Sequence, residues 1–296
     1  MNPRSWLVLA VGIVAISWAA PLIRLTEAPA IVVASLRLAI AAPPVLGVAL
    51  LRRRGELRAI GRGDALLLLF AGVALAAHFA FWVASVQRTS IVTSVVLVTM
   101  QPLFVSLGAW IFLRERPSRG MLVAIAVATA GALLLAGGDL GDRGSLSGDL
   151  FAVVGAALAS AYIVAGRRVR AGLSNLSYVA VVNTVAAVVL VALLLASGAA
   201  VGGHPREAYL LILLLAIGPQ LIGHSSLNWA LGFVPAVVVA IAILGEPVGA
   251  TLIAATLLDE VPTLLEWAGS AVVLLGVYIG LRSSVTAEQG RAPIEF

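Results

Sequence analysis

Cysteine and lysine are both absent from the 296-residue sequence, and charged residues of either sign are scarce. Without cysteine, the chain forms no disulfide and offers neither a thiolate to a metal nor a thiol nucleophile. Only 11% of its residues are charged and 61% are hydrophobic, whereas soluble domains carry roughly 25% charged residues. A chain of this composition cannot cover itself with polar surface, so lipid is its expected solvent.

Motifs of enzymes and of nucleic-acid-binding proteins are also missing. The three histidines, His78, His204 and His224, belong to no HExxH motif, and the sequence has no GxSxG motif and no acidic cluster with metal-ligand spacing. The net charge of +5 comes from arginines in short loops between apolar runs, a distribution typical of membrane topology signals. We therefore expect no enzymatic activity, no metal or cofactor, and no nucleic-acid partner.

Ten apolar segments reach the length of about 20 residues that a membrane-spanning helix requires. The first is expected to be a membrane helix because its apolar run is longer than that of a signal peptide, and Pro21 disfavours cleavage after "WAA". The fold class is therefore predicted to be an all-α integral membrane protein with ten transmembrane helices. The predicted helices are 5–24, 30–51, 64–86, 90–113, 119–137, 149–169, 176–198, 207–232, 235–258 and 263–282.

Arginine placement predicts the orientation of these helices. If the N-terminus is cytoplasmic, 14 arginines fall on the cytoplasmic side and 4 on the outer side, while Arg37 lies within a helix. Positive charge accumulates on the cytoplasmic side of membrane proteins. We therefore predict cytoplasmic termini and a location in the bacterial inner membrane. The polar segment 283–296 is predicted to be a mobile tail, and its last residues, Glu295 and Phe296, resemble a cloning remnant.

An internal repeat relates the two halves of the chain at an offset of 145 residues. Each half holds five predicted helices, and because five is odd the second half must enter the membrane from the opposite side. We predict a first repeat over 1–138, a linker over 139–148 and an inverted second repeat over 149–282. The offset aligns, without a gap, Gln101 with Glu246, Pro102 with Pro247, Glu115 with Glu260, Pro117 with Pro262, and Gly131 with Gly276.

A polar residue followed by proline occupies the middle of predicted helices 4 and 9. Proline frees the carbonyl four residues earlier, which survives in lipid only where protein or a water-filled cavity satisfies it. Three interpretations of the intramembrane Glu246 stay open: a hydrogen-bonded structural residue, a group that binds substrate or a proton, and a partner of Arg37. The predicted hinge positions are Pro21, Pro102, Pro219 and Pro247.

The helix 2 segment "ASLRLAIAA" (34–42) and the segment "LGEPVGATLIAATLLDEVPTLLEWAGSAVVLLGVYIG" of helices 9 and 10 (244–280) resemble the drug/metabolite transporter superfamily, EamA type. The resemblance covers the membrane region and implies a ten-helix exporter of small metabolites, including amino acids. Within that family the chain looks most like the aromatic amino-acid exporters. Family members often carry Glu-Pro in both halves, whereas this chain has Gln101 in the first, which puts roles needing two carboxylates in doubt.

Several polar and aromatic residues inside the helices are candidates for lining a transport path. The alternative role of these residues is hydrogen bonding between helices or packing in the core. For Trp82 the alternative is an anchor at the membrane interface. Arg37 is predicted either to snorkel outward or to act in structure or gating. The candidates, spread over predicted helices 1, 3, 4, 6, 8 and 9, are Trp18, His78, Trp82, Gln101, Tyr162 and the helix 8 stripe of Gln220, His224 and Asn228.

These features predict an inner-membrane secondary transporter that exports small zwitterionic metabolites, most of all aromatic or neutral amino acids, by alternating access. Uniport is the favoured mechanism. The alternatives are a proton-coupled exporter of drugs or toxic amphipathic metabolites, and a membrane scaffold or sensor that moves nothing. Its partners are expected to be the small-molecule substrate and the lipid bilayer, and a monomer is expected rather than a dimer.

Overall fold

The computed structural model describes residues 3–137, 145–257 and 263–289, and within these ranges all regular structure is helical. The all-α prediction is confirmed. Two segments, Ala109–Leu113 and Ala216–His224, are π-helical rather than α-helical. The α-helices are α1 Pro3–Ser17, α2 Ala19–Leu25, α3 Ala30–Arg52, α4 Arg54–Arg58, α5 Arg62–Val86, α6 Ile91–Val98, α7 Gln101–Gly108, α8 Arg119–Gly137, α9 Leu146–Arg170, α10 Asn175–Ser197, α11 Arg206–Leu215, α12 Ser225–Ala230, α13 Ala236–Ile243, α14 Glu246–Leu257 and α15 Leu264–Gln289.

Eight helical spans among the described residues are long and apolar enough to cross a membrane, and shorter apolar stretches lie within α8 and α15. Several of the predicted helices are interrupted rather than continuous: α1 and α2 together form the first span, α6 and α7 lie in the fourth, and α13 and α14 form the eighth. The helix α15 continues to Gln289, into the segment predicted as a tail. Glu260, Pro262, most of the predicted linker and the C-terminal Glu295-Phe296 lie outside the described residues.

The repeat is visible in where the helices break. The helix α6 ends at Val98 and α7 begins at Gln101, while α13 ends at Ile243 and α14 begins at Glu246. The offset of 145 converts each boundary of the first half into the corresponding boundary of the second. In each case proline is the second residue of the new helix, where its missing N–H leaves no intrahelical hydrogen bond unmade.

A serine from the opposite half contacts each break. The Ser160 hydroxyl of α9 lies 3.3 Å from the carbonyl oxygen of Gln101, and the Ser17 hydroxyl of α1 lies 3.5 Å from that of Glu246. The single proton of each hydroxyl is shared with the closer carbonyl four residues earlier in its own helix, at 2.7 and 2.8 Å. Each helix break therefore lies against a serine hydroxyl of the other half of the chain.

The helices α8 and α15 pack through a second exchanged contact. A Cβ added to Gly131 would lie 2.5 Å from the backbone nitrogen of Val273, and a Cβ added to Gly276 would lie 2.5 Å from that of Ala128. The offset of 145 maps Gly131 onto Gly276 and Ala128 onto Val273. Only glycine permits this approach of two backbones. Gly276 therefore serves packing within the chain.

Cross-packing of the halves places the core at their interface. The helix α5 of the first half packs on α9 of the second, and, in exchange, α1 packs on the π-helical segment and α12 of the second half. Pro219 lies inside that π-helical segment, and Pro21 lies in α2, just beyond the interruption at Trp18. Three of the four prolines therefore lie beside a helix interruption and the fourth within a π-helix; their role as hinges stays a prediction.

The close contact between α8 and α15 predicts that Gly276→Leu destabilises the protein. The added side chain must displace backbone, so we expect a loss of about 1–3 kcal/mol or more, seen as a lower thermal unfolding temperature in detergent. Gly47→Leu is the matched control because a Cβ there meets nothing within 4 Å, and both changes raise helix propensity equally. Equal unfolding temperatures for the two variants would contradict this account of the packing.

Candidate functional site

A cavity lies between the two halves, where the interrupted helices meet. Its free volume is about 40 Å³, and about 570 Å³ when the open space at its mouth and between its atoms is counted. Its walls come from predicted helices 1, 3, 4, 6, 8 and 9. The lining residues that carry polar or aromatic groups are His78, Trp82, Gln101, Tyr162, His224, Asn228 and Glu246, and apolar residues such as Ile16, Val239 and Ile243 complete the walls.

One wall is an aromatic stack on α5. The rings of His78 and Trp82, one turn apart, lie 5.8 Å apart at an angle of 9°. The His78 Nδ1 atom is 2.9 Å from the carbonyl oxygen of Gly155, and because a carbonyl only accepts, that nitrogen donates. Trp82 is 3% exposed, so it does not act as an interfacial anchor. The stack presents a flat, preoriented face to the cavity.

The opposite half contributes a second aromatic group. The Tyr162 hydroxyl of α9 donates to Asn228 Oδ1 of α12 at 2.5 Å. Its ring also stacks on that of Tyr178, with centroids 6.3 Å apart. Both hydrogen-bonding partners line the cavity, so this part of the wall is polar, aromatic and fixed in orientation.

Two cavity-lining side chains hold buried polar atoms that lack a partner within the described residues. They are the indole Nε1 of Trp82, which is a donor, and the amide Oε1 of Gln101, which is an acceptor. An unsatisfied buried polar group costs about 1–3 kcal/mol. Among the described lining residues, Glu246 is the only acid, it is 6% exposed, and no hydrogen bond to its carboxylate occurs. The Trp82 donor, the Gln101 acceptor and the Glu246 carboxylate are thus available to a ligand.

Arg37 lies behind the cavity wall rather than on it. Its side chain is fully buried, so the outward-snorkelling alternative is wrong. The Nε atom donates to Gln220 Oε1 at 3.1 Å, and Gln220 in turn donates to Asn183 Oδ1 at 3.2 Å. The guanidinium carbon lies 4.1 Å from the centroid of the Phe79 ring. This geometry combines hydrogen bonding and a cation–π contact around one buried cation.

The charges of Arg37 and Glu246 interact at longer range. The opposite charges attract through the protein interior, although no direct ion pair joins these two described residues. The terminal nitrogens Nη1 and Nη2 of Arg37 have no partner within the described part of the chain. Because separated buried charges attract strongly in a low-dielectric interior, removal of either charge should be felt by the other.

Two residues predicted to line the path lie elsewhere. Gln220 bonds to Arg37 instead. The predicted stripe of helix 8 assumed α-helical spacing, whereas the segment that contains Gln220 is π-helical and has more residues per turn. Trp18, at the interruption between α1 and α2, is 41% exposed and is not on the cavity wall. Sequence reasoning also missed Asn183, whose signal was an amide in the middle of the mostly apolar helix α10.

At one end of the cavity, arginines of α9 form hydrogen bonds to neighbouring segments. Arg167 donates through Nε to Glu115 Oε1 at 3.0 Å and through Nη1 to the carbonyl of Leu231 at 3.0 Å. Arg170 donates to the carbonyl of Asn228 at 3.0 Å. Because Leu231 and Asn228 also line the cavity, these bonds fix its wall at the end that the arginine distribution predicts to be cytoplasmic.

The long-range attraction between Arg37 and Glu246 can be measured with a double-mutant cycle. Arg37→Met and Glu246→Gln should each destabilise the protein, and the double variant should be more stable than the sum of the two effects predicts. We expect a coupling energy of about 0.5–3 kcal/mol, measured by thermal unfolding in detergent at low salt. Strict additivity of the two changes would show that the charges do not interact.

A comparison with protein families assigns the chain. The model of the EamA-like transporter family matches residues 4–137 and 146–282, one match for each half. A solved crystal structure shares the fold with a TM-score of 0.77, at 18% identity over 97% of this chain and 100% of the other. No functionally curated protein matches at a significant level. The chain belongs to the EamA-like transporter family of the drug/metabolite transporter superfamily, and it is a multi-pass membrane transporter rather than an enzyme.

Proposed function

We propose that this transporter exports small zwitterionic metabolites with an aromatic or apolar side chain, above all aromatic or neutral amino acids, from the bacterial cytoplasm. The observation that carries the proposal is the set of unpaired groups on the cavity wall: the Trp82 donor, the Gln101 acceptor and the Glu246 carboxylate. The carboxylate of an amino acid accepts from Trp82 Nε1. Its ammonium group donates to Gln101 and pairs with Glu246.

The surface of the cavity supports the same substrate class. Small-molecule sites commonly measure roughly 300–1,000 Å³, whereas the free volume of this cavity is about 40 Å³ in the conformation described. The cavity must therefore widen during the transport cycle to hold an amino acid. The stacked rings of His78 and Trp82 and the ring of Tyr162 suit a flat or apolar side chain. Polar atoms are few and fixed, so they orient the substrate while apolar contacts supply affinity.

Alternating access fits the architecture. The cavity lies beside the helix breaks before Gln101 and Glu246. In transporters with inverted repeats, the substrate site lies near the middle of the membrane, between the two repeats. We propose that rocking of the halves is absorbed around Pro21, Pro102, Pro219 and Pro247. In the conformation described, the Arg167 bonds to Glu115 and Leu231 hold one side of the path together; opening toward that side must break them.

Uniport is the mechanism we favour. The repeat position equivalent to Glu246 carries the neutral Gln101, so a proton cycle shared by two carboxylates is not available. Glu246 then acts as a fixed partner of the substrate ammonium and of the distant Arg37. The alternative, proton exchange, would require Glu246 to release and bind a proton during each transport cycle.

One observation favours a second candidate substrate class. Glu246 is the only formally charged side chain among the described residues that line the cavity. A lone acid with aromatic neighbours also suits a cationic amphipathic molecule that has no carboxylate. The two classes differ in a single group, so matched substrates can separate them.

Counterflow into proteoliposomes with labelled phenylalanine and with phenethylamine, which lacks the carboxylate, tests the proposed contacts. Trp82→Phe keeps an aromatic ring but removes the donor, so phenylalanine exchange should fall about tenfold or more while phenethylamine exchange changes little. Glu246→Gln should lower both by a similar factor, because a hydrogen bond to a charged group contributes about 1.5–3 kcal/mol.

Glu207→Gln, at an exposed acid in the first turn of α11, controls for loss of a carboxylate elsewhere and should exchange both substrates normally. Exchange of phenethylamine but not of phenylalanine by the unmodified protein would overturn the amino-acid proposal in favour of the cationic class. Loss of exchange of both substrates in Trp82→Phe, with folding intact, would show that the size of the indole ring is required and would contradict the assigned role of its N–H donor.

The coupling mechanism predicts a separate outcome. In cells preloaded with phenylalanine, a protonophore should leave efflux unchanged as long as the phenylalanine gradient is the same, because a uniporter uses only that gradient. The measurement is the initial efflux rate of cells with and without the transporter. If the protonophore abolishes transporter-dependent efflux at an equal phenylalanine gradient, proton exchange replaces uniport.

A further inference from the structure

A second, larger cavity opens sideways between α5, α7 and α9, away from the central site. It encloses about 1650 Å³ including its open side. We call it the lateral groove. Its walls are apolar apart from one buried serine and two arginines, and its lining residues are Leu67, Phe70, Phe104, Leu107, Gly108, Ile111, Phe112, Leu113, Arg114, Ala157, Ser160, Ala161, Val164, Ala165 and Arg168.

Small residues on α9 give the groove its depth. Ala157, Ala161 and Ala165 recur every four residues along one face and form part of its floor. Large side chains of the neighbouring helix stand beside them, and Phe112, for example, is 74% exposed. Gly108 brings the two helices together, since a Cβ there would meet Val164 at 3.1 Å. The result is a trough with apolar flanks rather than a flat lipid-facing surface.

The length of the groove corresponds to one leaflet of a bilayer. On α9 it runs from Ala157 to Arg168, and 11 residues at about 1.5 Å each span roughly 16 Å. The hydrocarbon core of a bilayer is about 30 Å thick. A groove of half that length, open to the membrane, matches the acyl chain of a single lipid.

Both arginines of the groove lie at the same end. Arg114 follows the π-helical turn Ala109–Leu113, and Arg168 lies in the last turn of α9. Both side chains are exposed, and neither has a hydrogen-bond or ion-pair partner among the described residues. The opposite end and the flanks carry no charged side chain. The groove is therefore apolar along its length and cationic at its mouth.

The backbone at Arg114 adds an independent observation. Its φ of 57° is left-handed, and it is the only non-glycine residue with positive φ in the described part of the chain. Glycine or asparagine is the usual residue at such a helix end, and another residue there costs about 1–3 kcal/mol. An arginine held in this conformation at the mouth of the groove points to a role for its guanidinium.

We propose that the lateral groove is a binding site for one anionic phospholipid, with an acyl chain along α9 and the headgroup phosphate at Arg114 and Arg168. Both arginines fall at helix ends that the positive-inside distribution places in the cytoplasm. The lipid therefore comes from the cytoplasmic leaflet, where anionic headgroups attract clustered arginines. This site is independent of the cargo in the central cavity.

Competition between two lipids of equal chain length tests the proposal. The full-length protein is reconstituted in nanodiscs with equimolar dioleoyl phosphatidylglycerol and dioleoyl phosphatidylcholine, and the lipids that stay bound after release are counted by native mass spectrometry. The unmodified protein should retain one phosphatidylglycerol in preference to phosphatidylcholine. Arg114→Gln and Arg168→Gln should each lower that preference about fivefold, and the double variant about thirtyfold.

Two further variants make the outcome specific. Arg52→Gln, at the exposed C-terminal end of α3, removes the same charge on the same predicted side and should leave the preference unchanged. Ala161→Leu fills the floor of the groove and should reduce retention of both lipids. Equal loss in Arg52→Gln would show a general surface effect, and an unchanged preference in the double arginine variant would overturn the proposal. Equal retention of phosphatidylcholine by the unmodified protein would also overturn it.

Discussion

Backbone polar groups within a bilayer must be satisfied by the protein, because lipid offers them no hydrogen bonds. The breaks before Gln101 and Glu246 each receive a serine hydroxyl from the opposite half, and the cavity opens beside them. The position of the site thus follows from where two broken helices can be tolerated together.

The polar interior divides into two parts with different tasks. The Arg37 cluster with Gln220 and Asn183 is shut away from the cavity and connects three helices through side chains. The cavity wall, in contrast, leaves Trp82 and Gln101 with unpaired polar atoms. The hydrogen bonds of the Arg37 cluster specify the packing, while the unpaired atoms on the cavity wall are available to a ligand. Glu246 belongs to both parts, since it lines the cavity and feels the charge of Arg37.

Sequence reasoning predicted most of the architecture because the repeat is recorded in residue types that have strict steric roles. Glycine and proline mark backbone events, so the offset of 145 located both helix breaks and the Gly131–Gly276 equivalence. The directions of the side chains were harder to predict from the sequence, since they depend on local helix geometry. A π-helical segment turned Gln220 toward Arg37. Arg37 itself was ambiguous because snorkelling and burial look alike until its neighbours are known.

The exchanged glycine contact between α8 and α15 also bears on how the chain is made. The face of α8 that carries Gly131 rests on Val273, a residue of the last described helix. Ribosomes release membrane helices in order from the N-terminus. The Gly131 face of α8 therefore has no packing partner until α15 has been synthesised. The first five helices are consequently an incomplete unit, and the final helix closes the fold of both halves at once.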